Sequence, residues 1–301
     1  MNRQAKPLHL GGHLLKMVGF DKIKTQQIKQ LLTVPDDCET LYQYTTIDAL
    51  FNGILVRHPQ AKTEGYDICL WGSNCAYMND PRELHPGRQI VDSILSIKPG
   101  ELGHKDDIAF ETLLEGVFLT SLSMTVDSLP MWSMYGKNGA GIALGFNKER
   151  LNEVAKGRLL KCVYHTTEIE DSFIQLFFDI SLVKLKSMSY EEKAELYKRR
   201  WPYIVSNMDL LLNILMASKS SEYSYEQEVR IYNNLGKVRY RLANNLIIPY
   251  VENYFPKDVL TEIWVGPTND MSRSVKSLRR FIDHLGFEHV KIKESSIPYR
   301  A

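Results

Sequence analysis

The sequence predicts an α+β fold: a mixed, mainly antiparallel sheet with flanking helices and a helical insertion. Three observations predict it. Short β-type runs such as G-V-F-L-T-S-L-S and G-I-A-L-G-F are separated by turn residues. A mostly helical stretch at about 166–219 lies between strand-like segments. The end of the chain reads strand, helix, strand: L-T-E-I-W-V-G-P, a helix from about Ser272 to Leu285, then H-V-K-I-K-E-S. With 301 residues, 44% of them hydrophobic, the chain is long enough to bury a sizeable core. Residues 1–36 read as a helical N-terminal extension and 37–301 as a single α+β domain.

In the extension, Ile23, Ile28 and Leu31 recur at roughly helical spacing and Pro35 ends the run. E-T-L-Y-Q-Y-T (39–45) starts the sheet. Thr46 and Asp48 suit the cap of a helix over 47–56, whose apolar side carries Ala49, Leu50, Ile54 and Leu55. D-I-C-L-W-G (67–72) is a strand. In N-D-P-R-E-L, Asp80 as cap, Pro81 at the first helical position and Glu83 in a capping box predict a helix over about 82–97. A strand over 115–123 and a helix over Pro130–Tyr135 follow. G-K-N-G-A-G (136–141) is then a glycine turn into a second strand, and L-K-C-V-Y is a third. S-E-Y-S-Y-E-Q-E-V-R-I-Y (221–232) and V-R-Y-R-L (238–242) read as further strands. With a two-residue period, Glu226, Glu228, Arg230 and Tyr232 share one face of the first of these. That row is either a solvated ion-pair face or the wall of a site.

Composition narrows the function classes. A formal net charge of +1 argues against non-specific coating of nucleic acid. The four cysteines, Cys38, Cys69, Cys75 and Cys162, form no Cys-x-x-Cys and have no histidine at zinc spacing, so they read as reduced thiols in a cytoplasmic protein. No signal-peptide pattern and no membrane-span-length apolar run occurs. No metal motif, P-loop or G-x-S-x-G elbow occurs, and the 136–141 glycines precede a strand where a dinucleotide fingerprint precedes a helix. His58, His85 and His104 read as surface residues, and nothing in sequence sets a base beside Cys75.

Three stretches carry chemistry. L-Y-Q-Y-T-T-I-D-A-L-F-N-G-I-L (41–55) runs a polar-tipped strand into a helix. G-V-F-L-T-S-L-S-M-T-V-D-S-L-P-M-W-S-M-Y-G (116–136) leaves hydroxyls at a strand end and then presents Trp132 and Tyr135. The 221–232 row supplies carboxylates. Hydroxyls and aromatics hold a flat ring and a sugar, and a carboxylate stabilises positive charge developing on that sugar.

The blocks L-Y-Q-Y-T-T, M-N-D-P-R-E-L, S-L-P-M-W-S-M-Y-G, Y-E-Q-E-V-R, I-W-V-G-P and S-S-I-P-Y-R resemble, in order, those of a widespread bacterial family of unknown function. The three chemical stretches also resemble the three elements of the ADP-ribosyltransferase superfamily. That resemblance implies a substrate, NAD, with no permanently bound cofactor and no metal, and an acceptor that is a protein or nucleic acid. It places Gln43 at the superfamily's His position and Thr45 at its Ser/Thr position, beside Tyr44. Ser121 or Ser123 takes the serine position and Tyr135, near Trp132, the aromatic that stacks on nicotinamide. Glu228 takes the catalytic glutamate, with Glu226 first in the [QE]-x-E pair. Glu226 or Arg230 would orient the acceptor or the pyrophosphate. Gln43 departs from the pattern: its amide donates and accepts but has no imidazole. That departure leaves open a non-catalytic nucleotide- or protein-binding regulatory module, in bacterial stress or phage defence.

Overall fold

The computed structural model describes residues 11–55, 65–95, 114–156, 158–233, 237–243, 245–267 and 270–298. His58, His104, Tyr299, Arg300 and the predicted end of the 82–97 helix lie outside these residues. The N-terminal extension is helix α1 (Gly11–Leu32). Strand β1 (Thr40–Thr45) leads into α2 (Ile47–Ala49), where Thr46 accepts from the Ala49 N–H, and then into a π-turn over Leu50–Ile54. Next come β2 (Ile68–Asn74), α3 (His85–Leu95), β3 (Phe118–Ser123), α4 (Leu129–Met134), β4 (Ile142–Asn147) and α5 (Lys148–Val154). L-K-C-V-Y divides at Cys162 into β5 (Leu159–Lys161) and β6 (Val163–His165).

The predicted insertion comprises α6 (Thr167–Phe178), α7 (Leu182–Ser187), α8 (Tyr190–Ser206) and α9 (Met208–Ala217). It closes with β7 (Ser218–Ser220), which pairs parallel with β6. Then follow β8 (Glu228–Asn233), β9 (Arg239–Ala243), β10 (Leu246–Phe255), β11 (Leu260–Val265), α10 (Met271–His284) and β12 (Lys291–Glu294). The main sheet runs β12-β11-β4-β1-β3-β2-β10-β9, with β8 also on β3 and β5 on β8. Its described pairings are antiparallel except the parallel β11–β12 pair, the product of the terminal strand–helix–strand unit. The α+β class is therefore borne out.

Three local expectations change. Residues 221–226 form a 3-10 turn, Gln227 takes a left-handed φ of 42°, and only Glu228 onward is strand. Glu226 is thus not in strand alternation with Glu228. Glu83 does not close a capping box: the chain turns through Leu84 at φ 64°, the helix begins at His85, and the Glu83 carboxylate is taken by Arg230. The sequence reading assigns no element to the ten-residue β10, which holds Pro249 between β9 and β2.

Packing follows the strand alternation. Leu41, Phe146, Val229, Ile231, Ile68 and Ile263 project from one side of the sheet onto Leu278 and Ile282 of α10 and Leu151 of α5. The spacing of Leu278 and Ile282 makes α10 one-sided, which is why its sequence reads clearly. On the other side, Leu119 and Leu160 meet the apolar faces of α1, α3, α6, α8 and α9, among them Ile28, Ile90, Phe173, Ile204 and Ile214. A smaller aromatic cluster of Tyr42, Tyr44, Met131 and Trp132 covers the rest of that side. Among the described residues no helix is long and apolar enough to cross a membrane.

Helices α3 and α9 cross closely because position 87 is glycine: a β-carbon there would lie 2.3 Å from the Leu215 carbonyl oxygen. Gly87→Ala is therefore expected to destabilise the fold by about 1–3 kcal/mol. A urea titration checks this, and an unchanged midpoint would show that the two helices separate freely.

Candidate functional site

The sheet is continuous on one edge of β3 and interrupted on the other. Strand β8 pairs with β3 along its whole length, from Phe118↔Asn233 to Ser123↔Glu228. The opposite edge is shared by two strands. β2 holds it at Leu119 and Phe118, and β1 only at Ser123. Between these contacts, over Thr120–Leu122, β1 and β2 part. A cleft of about 260 Å³ opens there, lined by Tyr44, Ser121, Tyr135, Glu83, Glu228 and Arg241 among others. Residues paired across strands project to the same side. The registers thus put Tyr42 and Tyr44, Ser121 and Ser123, Glu228 and Arg230, and Trp71 and Ser73 on one side of the sheet.

A buried ion network backs the cleft. Glu228 is 2% exposed and Arg230 0%, so the row is not a solvated face. Lys219, delivered by β7, donates to Glu228 Oε2 at 2.7 Å and to Glu226. The Arg230 Nη2 donates to the same Glu228 oxygen at 3.0 Å and to Glu83 Oε1 at 2.7 Å, while its Nη1 donates to the Met216 carbonyl at 2.6 Å. Burial works to raise the Glu228 carboxyl, but the charges and hydrogen bonds of Arg230 and Lys219 outweigh it and hold the group well below the usual carboxylate range. Glu228 is therefore ionised and fixed. The left-handed Gln227 lets Glu226 and Glu228 both reach Lys219 from two different local structures.

The predicted site residues divide. Gln43, Tyr44, Ser121, Tyr135, Glu226 and Glu228 all line the one cleft. The Tyr135 hydroxyl donates to Glu226 Oε1 at 2.6 Å. Gln43 pairs with Leu144, so its side chain alternates to the opposite side of β1 from Tyr42 and Tyr44. The remaining residues stand behind the cleft. Trp132 is fully buried, edge-on to Tyr44 with ring centroids 4.8 Å apart, and its indole N–H donates to Asp127 at 2.9 Å. Ser123 donates to the Glu226 carbonyl at 2.6 Å. Thr45 is the last residue of β1, paired with Ile142, and does not line the cleft. Arg230 does not line the cleft, so it positions Glu83 and Glu228 and does not reach an acceptor or a pyrophosphate. Cys75 is buried, and burial pushes its thiol up to about 12, which leaves it protonated.

The sequence reading missed Asp80 and Glu83 as cleft residues, together with Lys219, Trp71 and Arg241. The signal for Lys219 was present: a lysine at the end of the apolar L-L-L-N-I-L-M-A run, a few residues before two glutamates.

Polar atoms without partners concentrate here. Gln43 Oε1, Asp80 Oδ2, Glu83 Oε2, Ser121 Oγ and Glu228 Oε1 are buried and have no hydrogen-bond partner among the described residues. Each such atom costs roughly 1–3 kcal/mol, so their concentration marks a place shaped for a polar ligand. Apart from the serine hydroxyl these are acceptors and call for N–H or O–H donors on the ligand, whereas Arg241 Nε, also unpartnered in the cleft lining, is a donor. No group of three or more His, Cys, Asp or Glu that could hold a metal ion occurs among the described residues.

Fold and cleft together define an α+β protein with an acceptor-rich, aromatic-walled pocket in a parted sheet. Residues 131–231 match the family described as Protein of unknown function (DUF2971), and over that span the resemblance to a family of unknown function is borne out. The matched span contains Tyr135, Lys219, Glu226, Glu228 and Arg230. No curated protein and no solved structure matches the chain, and nothing in these comparisons bears on the ADP-ribosyltransferase resemblance.

Two outcomes follow from the network. Lys219→Met leaves Glu226 without its cation and Glu228 with one cation fewer, and is expected to cost about 3–5 kcal/mol in chemical denaturation. A cost under about 1 kcal/mol would mean that the pair is not buried in solution. For pH, the depressed Glu228 carboxyl stabilises the fold above its ordinary value of 4.5, and that contribution is lost as pH falls from there through the lower folded-state value. Stability measured across this window is expected to fall less steeply in Glu228→Gln than in the wild type; equal slopes would contradict it.

Proposed function

We propose that the cleft binds NAD and cleaves its nicotinamide–ribose bond, transferring ADP-ribose to a macromolecular acceptor or to water. The observation that supports this most is the state of Glu228. One carboxylate oxygen is tied to Lys219 and Arg230, and the other, Oε1, is unpartnered in a cleft that Ser121 and Tyr135 also line. An ionised, immobile carboxylate with a free oxygen suits a ribose hydroxyl and the positive charge that develops as nicotinamide leaves. Tyr44, Trp71 and Tyr135 offer flat walls for a ring. In this chemistry the C–N bond breaks with its electron pair going to nicotinamide. The acceptor's lone pair forms the new bond to the ribose carbon, and the acceptor's proton passes to solvent. Glu228 takes part electrostatically and is not consumed.

The assay is nicotinamide release from NAD, with protein, nucleic acid or water as acceptor. Wild type is expected to release it and Glu228→Gln to do so at least about a hundredfold more slowly. No release with any acceptor, or equal release by the variant, rejects the proposal.

A second reading is favoured by Gln43, which lacks an imidazole and turns its side chain from Tyr44. In this reading the cleft holds a nucleotide or a protein segment without cleaving it, as a regulatory module in bacterial stress or phage defence. Recovery of bound NAD intact after long incubation separates it from catalysis.

A further inference from the structure

Among the described residues lining the cleft there are two cations, and they are used differently. Lys219 is paired to Glu226 and Glu228. Arg241, on β9, has no carboxylate partner among the described residues. Its neighbour Arg239 takes Glu252 at 2.7 Å. Arg241 Nη2 donates to Ser73 Oγ at 3.1 Å, which steers the guanidinium along the sheet toward the cleft. The guanidinium carbon lies 5.8 Å from the centroid of the Trp71 ring, and Trp71 packs on Tyr250 at 4.9 Å. Its Nε is buried and unpartnered. The registers put Arg241, Tyr250, Ser73 and Trp71 on the same side of the sheet as Glu228.

The cleft is therefore polarised. Buried oxygens of Asp80, Glu83 and Glu228 form one pole, and a half-exposed, pre-positioned guanidinium on an indole forms the other. Ser73 pairs with Leu119, four residues along β3 from the Ser123–Glu228 pair, and β3 separates β2 from β8. Strand rise and spacing put the Ser73 and Glu228 backbones roughly 16 Å apart. The Arg241 and Glu228 side chains reach over part of that distance. An anion at the carboxylate pole would be repelled, whereas at Arg241 it meets N–H donors in the planar arrangement that suits phosphate.

We propose that Arg241 holds the phosphate of a nucleotide whose sugar lies at the carboxylate pole, so that Arg241, and not Arg230, sets the cleft's preference for phosphorylated ligands. This deepens the NAD reading given above and rests on it for the identity of the sugar end. Trp71 supports the guanidinium from below, and Ser73 fixes its direction.

The test is calorimetric binding of NAD, ADP and adenosine at one fixed ionic strength to wild type, Arg241→Gln and Arg241→Lys. Wild type is expected to bind NAD and ADP at least about tenfold more tightly than adenosine. Arg241→Gln is expected to lose that preference while its adenosine affinity stays within about twofold, and Arg241→Lys to recover part of it. The proposal is overturned if wild type binds adenosine as tightly as ADP, if it binds none of the three, or if Arg241→Gln weakens all three alike or none. Far-ultraviolet circular dichroism and the unfolding midpoint of each variant establish that a loss of binding is not a loss of fold. The two proposals fail separately. A phosphate preference lost in Arg241→Gln, with no nicotinamide released by wild type, retains this inference and rejects the NAD chemistry. Nicotinamide release with an NAD KM unchanged in Arg241→Gln does the reverse.

Discussion

The Arg230 guanidinium is the junction on which the arrangement of layers depends. It is fully buried, and its two terminal nitrogens donate to three different parts of the chain: the Met216 carbonyl at the end of α9, Glu83 in the turn before α3, and Glu228 on its own strand. Its Nε is left without a partner among the described residues. Burying a guanidinium costs several kcal/mol unless its donors are met with good geometry. The helical layer and the sheet must therefore meet in the one register that brings those acceptors together. The apolar contacts of Leu119, Ile90 and Ile214 supply cohesion between the layers but tolerate sliding, whereas a buried charge network does not.

The same junction shapes the cleft. Arg230 and Lys219 each take one oxygen of Glu228, the same one, and Arg230 takes one oxygen of Glu83. The remaining oxygens, Glu228 Oε1 and Glu83 Oε2, are left without partners beside the place where β1 and β2 separate. Arg230 and Lys219 behind the wall thus keep Glu228 ionised and hold both carboxylates in place, so a ligand meets fixed acceptor oxygens. A wall of this kind favours a ligand group that is rich in donors or becomes positive during reaction.

Much of the fold was legible because its elements obey local rules. α10 shows one apolar stripe, the 166–219 stretch reads as mostly helical, and β4 follows the glycine turn. What was not legible depends on partners distant in sequence. Asp80-Pro81-x-Glu83 has the letters of a helix start, but Arg230, 147 positions further on, takes the glutamate. Y-S-Y-E-Q-E alternates as a strand would, yet tertiary demand for both glutamates on Lys219 twists Gln227 into left-handed backbone. The convergence of Tyr44, Ser121, Tyr135 and Glu228 could be anticipated from the order of the blocks. The inward burial of Trp132 and Arg230, and the recruitment of Arg241 from β9, required the strand registers.

The interruption along β3 has a mechanical consequence. A ladder of hydrogen bonds transmits strain only where it is continuous, and here it is reduced on one edge to Ser123 on one side and Phe118 and Leu119 on the other. The strands from β1 to β12 and those from β2 to β9 form two leaves hung on a spine made of β3 and β8. Across the gap they are held together by the apolar layer beneath, where Leu41 and Leu144 of one leaf and Ile68 and Leu70 of the other belong to one buried cluster. The leaves therefore meet at a seam that the ladder does not bridge over Thr120–Leu122. A molecule spanning the seam would act as a clasp and add its binding free energy to the cohesion of the whole sheet.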